Sequence, residues 1–276
     1  MRPARVTFLG TGTSHGVPMI GCTCAVCRST DPHDRRLRPS IYLALDGGPA
    51  LLVDTATDLR QQALTHALTR LDAVIYTHSH ADHVMGLDEL RRFNVLMQGP
   101  LPLYADAATA GELQRVFRYA FAPPAQLGGG VPQLDLREIR GPFTAAGVRV
   151  VPVPLLHGRL PILGFRFGRF AYLTDCSAIP EASFELLHGL DVLVIDALRH
   201  RPHPTHFTLA EAAAAAARIG AARTFFTHIC HDLPHAATNA TLPPGLALAH
   251  DGLVVDVDVD LDTASGAAPA ADGGAA

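Results

Sequence analysis

The chain has 276 residues, 48% of them hydrophobic and 17% charged, with a formal net charge of -4. That length can bury a sizeable core, and the acidic balance without a basic stripe argues against a nucleic-acid partner. All 22 basic residues are arginine, which excludes a lysine Schiff base and a Walker A lysine, whereas 15 histidines offer abundant metal ligands and neutral-pH acids or bases.

The N-terminal residues show no cleavable-signal pattern, and no segment reaches the roughly 18 apolar residues of a membrane span. Three of the five cysteines crowd into Cys22, Cys24 and Cys27, which suits reduced thiols or a metal site better than a disulfide scaffold. The expectation is a cytoplasmic protein without membrane contact. In chain order, Val6–Leu9, Ile41–Leu45 and Ala50–Val53 read as short apolar strands, and Asp58–Thr69 has helical spacing. Ala73–Tyr76 is a buried-type strand running into Thr77-His78-Ser79-His80-Ala81-Asp82-His83, followed by helices near Leu87–Phe93 and Ala107–Tyr119. A Pro/Gly-rich loop covers Ala122–Gly130. Val148–Pro154 is a strand leading to His157, Phe165–Leu173 a hairpin closed by Asp175, and Val192–Ile195 another buried strand. Leu209–Ile219 is an Ala-rich helix and Thr224–Phe226 a strand ending at His228. Strands and helices alternate without a linker, so residues 1–262 read as one α/β domain with mixed sheets. Residues 263–276 read as a disordered, low-complexity tail.

The polar residues acquire a pattern once placed on these elements. His78, His80, Asp82 and His83 follow one strand, and His157, Asp175 and His228 follow three others; strand ends converge at one rim of a sheet. The i and i+2 imidazoles of His78 and His80 point the same way and can share a metal, while Asp82 and His83 can face a second one. Such N/O donors suit Zn, Mn or Fe. Separately, the CxCxxC run at Cys22, Cys24 and Cys27 gives three thiolates, one short of a closed tetrahedral zinc site. Spacing alone leaves three reduced loop cysteines as an equal alternative.

The run THSHADH at 77–83 resembles the signature of the metallo-β-lactamase superfamily, and the resemblance extends through Asp54, His157, Asp175 and His228. It implies a four-layered αββα sandwich with two mixed sheets flanked by helices. It also implies a first divalent ion (Zn or Mn) on His78, His80 and His157 and a second on Asp82, His83 and His228. Asp175 would bridge the two, with Asp54 as a structural support rather than a ligand. The N-terminal pattern GTGTSxGVPxxGCxCxVC is similar to that of the phosphoribosyl 1,2-cyclic phosphate phosphodiesterase (PhnP-like) family. There three thiolates bind a structural zinc completed by a histidine three residues after the last active-site histidine, here His231.

The same resemblance implies a catalytic histidine 22 residues before His228, which is His206. His206 is therefore expected to act as proton donor or transition-state stabiliser, and Asp82 to hold or receive a proton from a metal-bridging hydroxide. The implied activity is a dinuclear metal-dependent phosphodiesterase acting on a small, cyclic phosphodiester; a homodimer is compatible with it. The alternatives are a ribonuclease Z-like endonuclease, disfavoured by the net acidity, and a thioester hydrolase, disfavoured by CxCxxC and His206. A zinc or redox sensor with a relic site is disfavoured because all seven ligands are present. Arg199 and Arg201 could fork onto a phosphate or equally lie in solvent, His200 and His203 suit solvated loop positions more often than substrate contacts, and Cys176 and Cys230 read as packing residues. His15, His33, His66, His188, His235 and His250 are expected to be structural or surface residues.

Overall fold

The computed structural model describes residues 1–122 and 130–262. Six strands come first in the chain: β1 (Arg2–Gly10), β2 (Ser40–Leu45), β3 (Ala50–Val53), β4 (Ala73–Ile75), β5 (Leu101–Ala105) and β6 (Leu134–Glu138). Then follow β7 (Phe143–Ala145), β8 (Val148–His157), β9 (Leu160–Phe167), β10 (Phe170–Leu173), β11 (Val192–Asp196), β12 (Arg223–Thr227), β13 (Leu246–Leu248) and β14 (Val254–Val259). The helices are α1 (Leu59–Thr65), α2 (Ala81–Val84), α3 (Leu90–Met97), α4 (Ala107–Val116), α5 (Arg118–Phe121), α6 (Glu181–Phe184), α7 (Leu209–Ile219) and α8 (His235–Asn239).

Two seven-stranded sheets result, ordered β14-β1-β2-β3-β4-β5-β6 and β13-β12-β11-β10-β9-β8-β7. Each combines three antiparallel with three parallel pairings, so both are mixed. The period-2 pleat explains the layering. Leu51 and Val53 of β3 point into a core shared with Val192 and Val194 of β11, a core without helix residues. Their neighbours point outward: Leu52 packs beneath Leu59, Leu90 and Leu113, while Leu193 and Ile195 pack beneath Leu209, Ala212 and Ala216 of α7. Parallel strands covered on both faces must be apolar throughout, and β3, β4, β10 and β11 are buried along their whole length. The arrangement is the expected helix–sheet–sheet–helix sandwich.

Several local expectations need correction. The helix expected over Asp58–Thr69 stops at Thr65, where Ala67 turns into the left-handed region (φ 49°). The helix expected over Ala107–Tyr119 breaks at Phe117, which leaves helical geometry between α4 and α5. Helix α3 runs to Met97, beyond the expected Phe93, and ends at Gln98 in a left-handed cap. Strands β5, β6, β7, β13 and β14 were not anticipated. The tail 263–276, and 123–129 of the expected loop Ala122–Gly130, lie outside the described residues.

Candidate metal centre

The site forms where strands of both sheets end. Asp54 follows β3, His78 follows β4, His157 ends β8, Asp175 follows β10, Asp196 ends β11 and His228 follows β12. Helix α2 carries Asp82 and His83 back toward the same point. The ligand atoms of His78, His80 and His157 lie within 4.8 Å of one another, as do those of Asp82, His83, Asp175 and His228. Asp175 lies between the groups: its carboxylate is 3.2 Å from His83 Nε2, 3.1 Å from His228 Nε2 and 3.9 Å from His78 Nε2. Asp82 Oδ2 is 3.5 Å from Nε2 of both His83 and His228. His80 is exposed, on the open side of the cluster.

Hydrogen bonds fix which ring nitrogen faces the centre. His83 Nδ1–H donates to Asp54 Oδ2 at 2.8 Å, and that carboxylate also accepts from the Thr77 amide and hydroxyl at 2.9 and 2.8 Å. With its proton committed to Asp54, the Thr77 oxygen accepts from His78 Nδ1–H at 3.0 Å. His157 Nδ1–H donates to the Thr205 carbonyl at 2.7 Å. Gly158 permits that approach, since a Cβ there would lie 2.9 Å from Thr205 Cγ2. His78, His83 and His157 thus spend Nδ1–H on the scaffold and turn Nε2 inward. The Nε2 atoms of His78, His83 and His228 are buried without any hydrogen-bond partner. Orphaned lone pairs beside two carboxylates are the donor set that divalent cations require.

Charge reinforces this reading. Burial works against protonation of His228, but Asp175 and Asp82 lift it to about 10, and burial against Asp175, Asp82 and Asp54 leaves His83 well above its ordinary range. Asp175, for which burial favours the neutral acid, is held far below the usual carboxylate range by His228 and His83. The carboxylates therefore call for positive charge at these Nε2 positions, which either protons or a cation there would supply. His78 is pushed well down by burial and by His83.

His206 is buried, its ring stacked on His228 at 4.6 Å and 14° and edge-on to His157 at 4.6 Å. Burial, with His228 beside it, lowers His206 to about 3. Its Nδ1 stands 3.3 Å from Asp196 Oδ2, and it also lies within ligand reach of His157 and Asp175. Sequence reasoning missed Asp196. It is fully buried, accepts from the Phe207 amide at 3.0 Å and lies 3.6 Å from His228 Nδ1. The available signal was an aspartate ending an apolar strand, the same placement as Asp54 and Asp175. A cavity of ≈ 250 Å³ opens onto His206 and His228 and is lined also by His15, Arg199, Arg201 and His203.

A second cluster touches this cavity through His231. His231 Nδ1 lies 3.2, 3.5 and 3.5 Å from the sulfurs of Cys22, Cys24 and Cys27. A tetrahedral zinc with ordinary Zn–S and Zn–N lengths would put such atoms about 3.6 Å apart. The Cys27 amide donates to Cys24 Sγ and, more than any other group, lowers that thiol to about 7. Cys176 is fully buried against the Leu173 carbonyl, and Cys230 is half-buried beside the cavity. Among the remaining histidines, His33, His235 and His250 stack together, with His33–His250 rings 3.9 Å apart.

Residues 50–229 match the β-lactamase superfamily domain, and with its two mixed sheets and convergent His/Asp rim the chain belongs to the metallo-β-lactamase superfamily as a metal-dependent hydrolase. A solved structure described as a new diphosphatase from the PhnP family is 48% identical, has a TM-score of 0.88 and covers 94% of this chain and 99% of its own. At that identity and coverage the chain falls within the PhnP family. An octanoyltransferase of Porphyromonas gingivalis is 39% identical over 258 residues, 92% of this chain but 52% of that protein. The chain thus spans about half the length of that relative. Zinc-bound PqqB of Methylobacterium extorquens shares the fold, with TM-score 0.75 at 22% identity, covering 92% of this chain and all of its own. No helix among the described residues is long and apolar enough to cross a membrane.

Proposed function

We propose that this chain hydrolyses small phosphodiesters, cyclic ones included, at a dinuclear centre. His78, His80 and His157 would hold one divalent ion, and Asp82, His83 and His228 the other, with Asp175 shared. Zinc and manganese both suit these donors. The observation that carries the reading is the set of inward, unpartnered Nε2 atoms grouped around Asp175. Two bound divalent ions supply Lewis acidity and an ionised water at neutral pH.

The chain's own residues do the remaining work. Asp54, Thr77 and Thr205 orient the ligand imidazoles, so little reorganisation accompanies turnover. Asp82, between His83 and His228, takes up and returns a proton. His206, on the cavity side of His228 and kept neutral by burial, donates an Nε2–H hydrogen bond that stabilises charge developing on the leaving oxygen. With Asp196 behind Nδ1, its outward Nε2 is the atom presented to substrate. Cys22, Cys24, Cys27 and His231 would hold a structural zinc that ties the N-terminal loop to the end of β12. A second reading, cleavage of a diphosphate bond, is favoured by the diphosphatase name of the 48% identical structure. The octanoyltransferase name belongs to a protein of about twice the matched length and is not carried over.

Metal analysis of the purified protein should return about three ions per chain, and two after Cys24→Ser. A panel of bis(p-nitrophenyl) phosphate, 2′,3′-cyclic nucleotide, ribosyl 1,2-cyclic phosphate, a dinucleoside diphosphate, pre-tRNA and a thioester separates the readings. Cyclic diesters should be cleaved best; preference for the diphosphate selects the second reading, and preference for pre-tRNA or thioester overturns both. His206→Ala should lose about 10²–10³-fold in kcat, the usual worth of one hydrogen bond to charge developing in the transition state, with its metal content intact. Loss of an ion instead would make His206 a ligand.

A further inference from the structure

Thr205 sets two imidazoles in opposite tautomers. Its carbonyl can only accept, so the His157 nitrogen 2.7 Å away carries a proton and the other His157 nitrogen presents a lone pair. Its amide can only donate, so the His203 Nδ1 that receives it at 3.3 Å is the bare nitrogen, to which the Thr205 hydroxyl 3.1 Å away can also donate. In neutral His203 the proton is thereby placed on Nε2. One residue thus prepares His157 as a metal ligand and denies that role to His203, which joins none of the convergent donor groups found among the described residues.

His203 is half-buried, lines the cavity that opens onto His206 and His228, and has its ring 5.1 Å from that of His206. Arg201 lines the same cavity, with Nη2 held by Asp232 Oδ2 at 2.9 Å and the rest of the guanidinium uncommitted by that contact. A fixed N–H donor next to His206, with an arginine on the same wall, is the arrangement that receives phosphoryl oxygens.

We propose that His203 is a substrate-binding residue whose Nε2–H donates to a non-reacting phosphoryl oxygen, with Thr205 as its positioning residue. The inference rests on the phosphoester reading given above and assigns a function to a histidine that the metal sites leave unused.

The test compares the metal-loaded wild type with His203→Phe, which keeps a ring without a donor, and His203→Gln, whose amide N–H reaches toward the Nε2 position. Two readouts are taken: KM and kcat on bis(p-nitrophenyl) phosphate, and the affinity of inorganic phosphate by calorimetry. His203→Phe should raise KM and weaken phosphate about ten- to a hundredfold, as expected for a hydrogen bond to a charged group. Metal content and melting temperature should hold, and His203→Gln should recover part of the loss. Unchanged phosphate affinity in His203→Phe overturns the proposal, as does a loss confined to metal content or melting temperature. If the wild type cleaves no phosphoester, the functional reading fails, while the calorimetric comparison still decides the role of His203.

Discussion

Asp54, Asp175 and His228 share an uncommon backbone state, with φ of 64°, 57° and 57°. Asp54 and His228 directly follow a strand and Asp175 comes one residue after one, and the left-handed turn swings each side chain off the strand axis toward the centre. Such conformations cost non-glycine residues free energy and persist where surrounding contacts enforce them; here the carboxylate and imidazole contacts do so. Asparagine tolerates this region about as well as aspartate, so Asp54→Asn is a clean probe of the side chain alone. It should leave the fold intact while weakening metal binding 10–100-fold, the usual effect of losing a partner behind a ligating histidine. A chelator-competition titration measures this, and unchanged affinity would mean that His83 is oriented without Asp54. At this scale the sequence was most legible where the donor residues are contiguous, as in His78 to His83. Asp196, His203 and Thr205 were not legible as a group, because their roles arise from contacts made across the chain by rings and carbonyls that no spacing rule connects.

Helix α7 shows an element whose limits the sequence marks at both ends. Thr208 and Glu211 form a reciprocal capping box at its start, and Gly220, at φ 74°, closes it. The expected range Leu209–Ile219 is the observed one. Strand β5 was obscured by Pro102, whose partner across the ladder is Asp135 of β6. In β6 the polar alternation of Leu134–Glu138 left little hydrophobic signal. Strand β14 did alternate, with buried Val255, Val257 and Val259, yet its place beside β1 at the opposite end of the chain is a matter of topology, not of local pattern. Thr208→Ala should remove one oxygen acceptor from the first turn of α7 and cost about 1 kcal/mol. Denaturant titration should show this as a lower midpoint at unchanged slope, and Thr208→Ser should restore most of it.

Across the whole molecule, each sheet runs through three antiparallel pairings and then three parallel ones. Ends of the parallel strands from both sheets meet the end of antiparallel β8, and the centre forms at that meeting. The N-terminal loop is then fastened to the far end of the chain by the cysteine cluster and by the stack of His33, His235 and His250. These three residues belong to the 3-10 turn at Pro32–Asp34, to the start of α8 and to the segment after β13. The His235 amide donates to Asp34, which also pairs with the fully buried Arg36. Burial, followed by the neighbouring His33 and His250, lowers His235 to about 4, while burial raises the adjoining Asp251 to about 7. The two groups act with opposite sign. A histidine whose pKa is depressed on folding contributes its full stability above about 6.5 and loses it as pH falls toward 4. An aspartate whose pKa is raised contributes its full stability below about 4 and loses it as pH rises through 7. Wild-type stability should therefore change less between pH 4 and 7 than either group alone would dictate. The melting temperature of His235→Phe relative to wild type should climb as pH is lowered from 6.5 to 4. That of Asp251→Asn should climb as pH is raised from 4 to 7. Parallel differences for both variants, or flat ones, would show that the clasp joining the two chain ends carries no such opposed pair.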